Sequence, residues 1–231
     1  MCIRDSDHLV RLAEGSLSSL PPRDTIVPQE ARYSGGEYRD VRDLEQAHLC
    51  FALEALPFTS DQIYALQLYA AILGGGMSSR LFQEIREERG LAYAIYADVS
   101  AHADTGLLSV YTGTSAAEAQ EALKLSAQIM RSLADDVSSL ELDRAKAQLK
   151  AGLAMALESS TALSEQMGRH MLMFNRVLPA SEILERVDAV ALSDVKNIAE
   201  TLLSRGPISF ASVGPSEGLS DYDALDQMFR A

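Results

Sequence analysis

Two side chains seven positions apart, Arg86 and Tyr93, are the residues of this chain best suited to chemistry. An arginine stays charged at any ordinary pH and presents a planar fork of hydrogen-bond donors. A tyrosine hydroxyl can donate to an oxygen on which negative charge develops. The segment that carries them reads, in order, as a glycine turn at Gly74-Gly75-Gly76, a short charged helix over residues 79–89, a second glycine stop at Gly90, and a strand that opens near Tyr93. A helix, a glycine turn and a strand start in that order can point both side chains at one groove. The residues alone leave a plainer reading open. Arg86 stands among Glu84, Glu87 and Glu88 and could be a solvated helix charge, and Tyr93 could be an ordinary half-buried strand residue.

Other chemistries lack their signatures. Catalytic zinc sites need closely spaced histidines and carboxylates. None of the four histidines, His8, His48, His102 and His170, has another three or four positions away, and neither His-Glu-x-x-His nor His-x-x-Glu-His occurs. No metal site is therefore expected in the chain itself. His170 falls at helical spacing with Leu163, Met167, Met171 and Phe174 and reads as a semi-buried packing residue; His48 and His102 read as strand and turn residues. No Gly-x-Ser-x-Gly elbow presents a nucleophile, and no Gly-Lys-Ser/Thr follows the triple glycine, which reads as a helix stop and flexible loop with Ser78 or Ser79 as candidate N-cap. The tyrosines and phenylalanines show no basic interleaving of the kind that binds nucleic acid.

The elements needed to hold Arg86 and Tyr93 are legible in the periodicity. Residues 47–55 alternate as a strand, with Leu49, Phe51 and Leu53 on one side and His48, Cys50 and Glu54 on the other. Pro57 ends it, and Thr59 with Gln62 suggests a capping box for a helix through Ile63, Leu66, Ala70 and Leu73. Runs at 92–99 and 107–113 flank the turn residues Asp104, Thr105 and Gly106 and predict a hairpin. Ser115 with Glu118 and Ser138 with Glu141 suggest further capping boxes, and helical patterns cover roughly 139–158, 162–174, 181–190 and 193–204 before a last strand at 208–213. The plan is α+β: an antiparallel sheet with helices packed on one face.

Five segments are expected. Residues 1–6 read as a non-native scar, 7–20 as a lone helix, 21–43 as a linker rich in proline, glycine and charge, 44–215 as the main domain, and 216–231 as a tail. A formal charge of −13 argues against nucleic acid and anionic membrane partners and for basic peptides. No apolar run reaches the length of a membrane span, and the visible chain carries no export signal. The two cysteines, Cys2 and Cys50, make a poor disulfide framework and fit a reducing compartment. A cytoplasmic protein is expected, with the periplasm as the alternative if a native N-terminus is missing.

The stretch from Leu73 to Tyr93 resembles, nearly letter for letter, a segment of the pitrilysin/insulinase-type zinc metallopeptidases, the family of the mitochondrial processing peptidase. Glu45-Gln46-Ala47-His48-Leu49, Asp104-Thr105-Gly106-Leu107 and Arg144-Ala145-Lys146-Ala147-Gln148-Leu149 also look like bacterial processing-peptidase-type members, so the likeness runs from about Asp7 to Pro215. The resemblance implies one half of a clamshell built from two related α+β domains around a peptide chamber. In such enzymes the first domain binds zinc through His-x-x-Glu-His and a more distant glutamate. The second supplies an arginine and a tyrosine that hold the substrate backbone and help to stabilise the tetrahedral intermediate; Arg86 and Tyr93 fall on those positions. Arg89 lies too near the glycine turn to match. Gly75 and Gly76 sit where some processing-peptidase regulatory subunits have a longer glycine-rich loop implicated in substrate handling, so substrate contact is expected there, by position and mobility alone. The zinc half has no counterpart in this chain. By this resemblance residues 7–20 are the last helix of a missing zinc domain, 21–43 the interdomain linker, and the chain the C-terminal half of a zinc endopeptidase. It would be inactive alone, its parent a homodimer or heterodimer; the rival reading is a non-catalytic regulatory or core subunit of a processing-peptidase-like complex.

Overall fold

A computed structural model describes residues 6–21 and 29–230. Residues 1–5 of the expected scar, and residues 22–28 of the expected linker, lie outside the described residues. The chain divides into two units, residues 1–30 and 31–231. In the first, Ser6–Leu17 forms helix α1, as the spacing of Leu9, Leu12 and Leu17 predicts, and none of its side chains is buried.

The second unit carries a five-stranded sheet in the order β1-β5-β2-β4-β3, from β1 (Gly36–Asp40), β2 (Ala47–Ala55), β3 (Ala92–Ala101), β4 (Gly106–Thr114) and β5 (Ser209–Val213). All neighbours are antiparallel except β1 and β5. β2 alternates strictly: Ala47, Leu49, Phe51, Leu53 and Ala55 are buried while the residues between them are partly exposed. That period of two is what a sheet with one covered face demands. The helices are α2 (Ile63–Gly74), α3 (Ala119–Asp136), α4 (Ser139–Leu157), α5 (Ser160–Phe174), α6 (Ala180–Ala189), α7 (Leu192–Ser204) and α8 (Tyr222–Arg230). α2 packs on β3, α7 on β2 and α3 on β4. Leu66, Tyr69 and Leu73 of α2 and Leu123 and Met130 of α3 are fully buried between the layers. The expected α+β plan holds.

Four local features differ from the expectation. β1 lies inside the stretch read as linker, and the Tyr33 hydroxyl nearby bonds the Ala52 carbonyl and the Ser209 hydroxyl. α8 lies inside the stretch read as tail; its Phe229 packs against Phe51 in a tilted pair with ring centroids 4.4 Å apart, both rings fully buried. Thr59 does not cap α2, because the helix begins at Ile63 and the Ser60 hydroxyl takes the Gln62 N–H instead. On α5, His170 is buried beside Phe174, whereas Leu163, Met167 and Met171 turn to the exposed side. The expected box at Ser138 and Glu141 forms in full at the start of α4.

Candidate active-site groove

Arg86 and Tyr93 line one groove of about 530 Å³ at the end of the sheet, together with Glu45, Gln46, Gly90 and Thr114. Three devices aim them there. The first is the helix between the glycine turns. Within the expected short helix, Phe82–Glu88 is a π-helix, anchored by the fully buried Leu81 and Ile85. π-Turns are rare and recur at functional sites, because the extra residue per turn re-aims the side chains. The second is Gly90, at φ +65°, a left-handed conformation that costs a side-chain-bearing residue free energy. There the Leu91 N–H reaches back to the Ile85 carbonyl (2.8 Å), and the Thr114 hydroxyl donates to the Leu91 carbonyl (2.5 Å), tying the turn to the sheet.

The third device is a β-bulge. Ala92 pairs with Thr114 and Ala94 with Gly113, so Tyr93 is an extra residue with no partner on β4. A bulge redirects a side chain that regular pleating would send elsewhere. Tyr93 is accordingly 75% exposed, while the Ala92 and Ile95 side chains are buried.

The Arg86 guanidinium lies 4.6 Å from the centroid of the Phe82 ring and 6.0 Å from that of Tyr93. Both are within reach of a cation–π attraction, which orients the planar group without occupying its donors. Its one carboxylate neighbour, Glu87, is 3.7 Å away and more than half exposed, a loose contact that a ligand can displace. Glu45, Glu87 and Glu118 border the groove against the single cation Arg86. An extended peptide could lay a backbone carbonyl between the guanidinium and the phenol. Phe82, four positions before Arg86, is a contributor that sequence reasoning missed; its i, i+4 spacing was the available signal.

Gly75 and Gly76 are not brought to this groove. The Gly75 carbonyl accepts from the Gln148 side chain of α4 (3.0 Å), and a Cβ on Gly75 would stand 2.6 Å from Ala71 Cα. Arg89 points to Glu121 at 3.7 Å. Among the described residues no group of three or more His, Cys, Asp or Glu side chains is placed to hold a metal ion. The described residues do not fit a zinc site.

The family profile described as "Peptidase M16 inactive domain" matches residues 5–149. The chain belongs to the M16 peptidase family. Among the relatives of this M16 chain, an uncharacterized zinc protease of Rickettsia felis is 35% identical over 214 residues, covering 92% of the chain and 52% of that protein. The uncharacterized zinc protease YmxG of Bacillus subtilis is 36% identical over 179 residues, covering 76% and 43%. The M16 chain thus spans about half the length of the curated relatives it matches. In three dimensions it is similar to a chain of complex III2 from Candida albicans, determined with Inz-5 bound (TM-score 0.83, 23% identity, 95% of this chain and 56% of that one). That likeness supports the fold. No described helix of the M16 chain is long and apolar enough to cross a membrane.

Proposed function

We propose that the chain is the substrate-binding C-terminal half of a zinc-dependent metalloendopeptidase that hydrolyses peptides. Arg86 and Tyr93 hold the substrate backbone and donate to the oxyanion as the tetrahedral intermediate forms. The observation that carries this reading is their convergence on one groove, the guanidinium 6.0 Å from the tyrosine ring with neither committed to a strong internal partner. Zinc would be held by another domain of the parent, so the chain alone hydrolyses nothing, and the parent pairs as a homodimer or heterodimer. The acidic border of the groove suits peptides with basic segments.

The test is turnover by the full-length enzyme. Tyr93→Phe and Arg86→Gln should each lower kcat with little change in KM, by on the order of 2–4 kcal/mol in transition-state stabilisation. An unchanged kcat in both would sink the role and favour the second reading, a non-catalytic subunit of a processing-peptidase-like complex.

A further inference from the structure

The helical layer holds a second concavity, lined by none of the groove's residues. It lies between α2, α4, α5 and α6 and encloses about 680 Å³, a size typical of small-molecule sites. Its walls are mainly apolar, from Phe58, Tyr64, Leu149, Leu153, Phe174 and Ile183. Polar groups interrupt these walls, among them Glu165, Arg169 and His170 of α5.

His170 is only 4% exposed and lines the cavity. Its Nδ1 accepts the Leu178 N–H (3.3 Å), so in the neutral ring the proton sits on Nε2, at the opposite edge. That N–H has no hydrogen-bond partner among the described residues. Nε2 is not among the solvent-shielded atoms without a partner, so in the free chain water reaches this donor and a ligand acceptor would displace that water. Beside it Arg169 lies over the Phe58 ring at 5.9 Å and forms no ion pair among the described residues. The other cations of the lining are engaged, Arg186 with Glu182 and Lys150 with Asp188, each at 2.7 Å. Glu165 also stands at the rim.

Burial, then the charges of Arg169 and Arg176, push the His170 pKa down, with Glu182 opposing in part. The ring is therefore a neutral donor at pH 7 in a locally positive field, although the chain as a whole carries −13. Donors without a free acceptor partner, set against an apolar chamber, select a molecule with an anionic head and an apolar body.

We propose that this cavity binds a small amphipathic carboxylate, its apolar body against Phe58, Leu153 and Phe174 and its head on His170 Nε2–H and the Arg169 guanidinium. The site is independent of the peptidase reading.

The test is calorimetric titration of decanoate, below its micelle-forming concentration, into the full 231-residue chain. Saturable one-to-one binding is expected, with 1-decanol, which has the same tail and no charge, weaker by about tenfold or more, and a shift of the His170 Nε2–H resonance on binding. Arg169→Gln should weaken decanoate by about tenfold and leave decanol unchanged. Leu153→Trp should block both by filling the cavity. Arg169 is exposed, so its variant keeps the test decisive should the tryptophan variant fail to fold. Absence of saturation, equal affinity for decanol and decanoate, or indifference to Arg169→Gln would overturn the proposal.

Discussion

Arg80 and Arg86 occupy one short segment, and burial separates their roles. The Arg80 side chain is 15% exposed, and its donors are spent on Glu141 (2.6 and 2.9 Å), Asp136 (2.5 Å) and Ser132 (2.9 Å). It rivets the start of the π-turn to the junction of α3 and α4. Arg86, 40% exposed with one loose neighbour, keeps its donors free. Arg86→Gln should therefore change unfolding free energy by no more than about 0.5 kcal/mol, whereas Glu141→Gln should cost roughly 2–3 kcal/mol at pH 7. Hydrogen bonds from Arg80, then from Ser138, hold the Glu141 carboxyl at about 2 against the raising effect of burial. A folded pKa below the free value of 4.5 means that this stabilisation is complete above about pH 4.5 and is lost as pH falls towards 2. Urea unfolding at pH 7 and near pH 2 checks this: the gap between the parent chain and Glu141→Gln should close at the lower pH. A gap that stays constant would mean that Glu141 acts through packing alone.

At the scale of elements, the site depends on local irregularities mounted on regular surroundings. Gly90→Ala meets no neighbouring atom, yet must hold φ near +65°, and should cost about 1 kcal/mol while disturbing the Arg86–Tyr93 relation. Gly74→Ala acts differently. Its Cβ would stand 2.5 Å from the Ala97 backbone nitrogen, so α2 must lift from β3, at about 1–3 kcal/mol. Thermal melts of both variants, with turnover of the full-length Gly90→Ala enzyme, separate the two effects; a larger stability loss for Gly90→Ala would reverse the assignment. The regular parts were legible because their periods are strong: β2 spans residues 47–55 as its alternation predicts, and the box at Ser138 stands where Ser and Glu three apart place it. The irregular parts were not. Leu81 and Ile85 fall four apart, a spacing that an α-turn and a π-turn both satisfy, so the pattern cannot tell them apart. The bulge at Tyr93 leaves no mark in Ala92-Tyr93-Ala94, where small residues tolerate either face. β1 was hidden by charge and glycine, since an edge strand needs no apolar alternation. On α5, one apolar set faces outward and His170 inward, which helical spacing alone would reverse.

Across the whole molecule, the last helix closes the core from the far end of the sequence. Phe229 and Phe51 are both 1% exposed, and the Arg131 guanidinium donates to the Met228 carbonyl. Phe229→Ala should cost about 3–5 kcal/mol, read as a lower urea midpoint with an unchanged slope; a loss below about 1 kcal/mol would show α8 to be dispensable. The order of the sheet carries a mechanical consequence as well. β1 runs alongside β5 in the same direction, Gly36 opposite Ser209 and Asp40 opposite Val213. The polypeptide enters β1 at the end where β5 begins and leaves β5 at the end where β1 stops. Tension applied through the segments before Gly36 and after Val213 therefore loads this pair in shear. Its hydrogen bonds share the force together instead of opening one by one like a zip. The β1 edge of the sheet is thus a clasp, built to resist a pull along the chain.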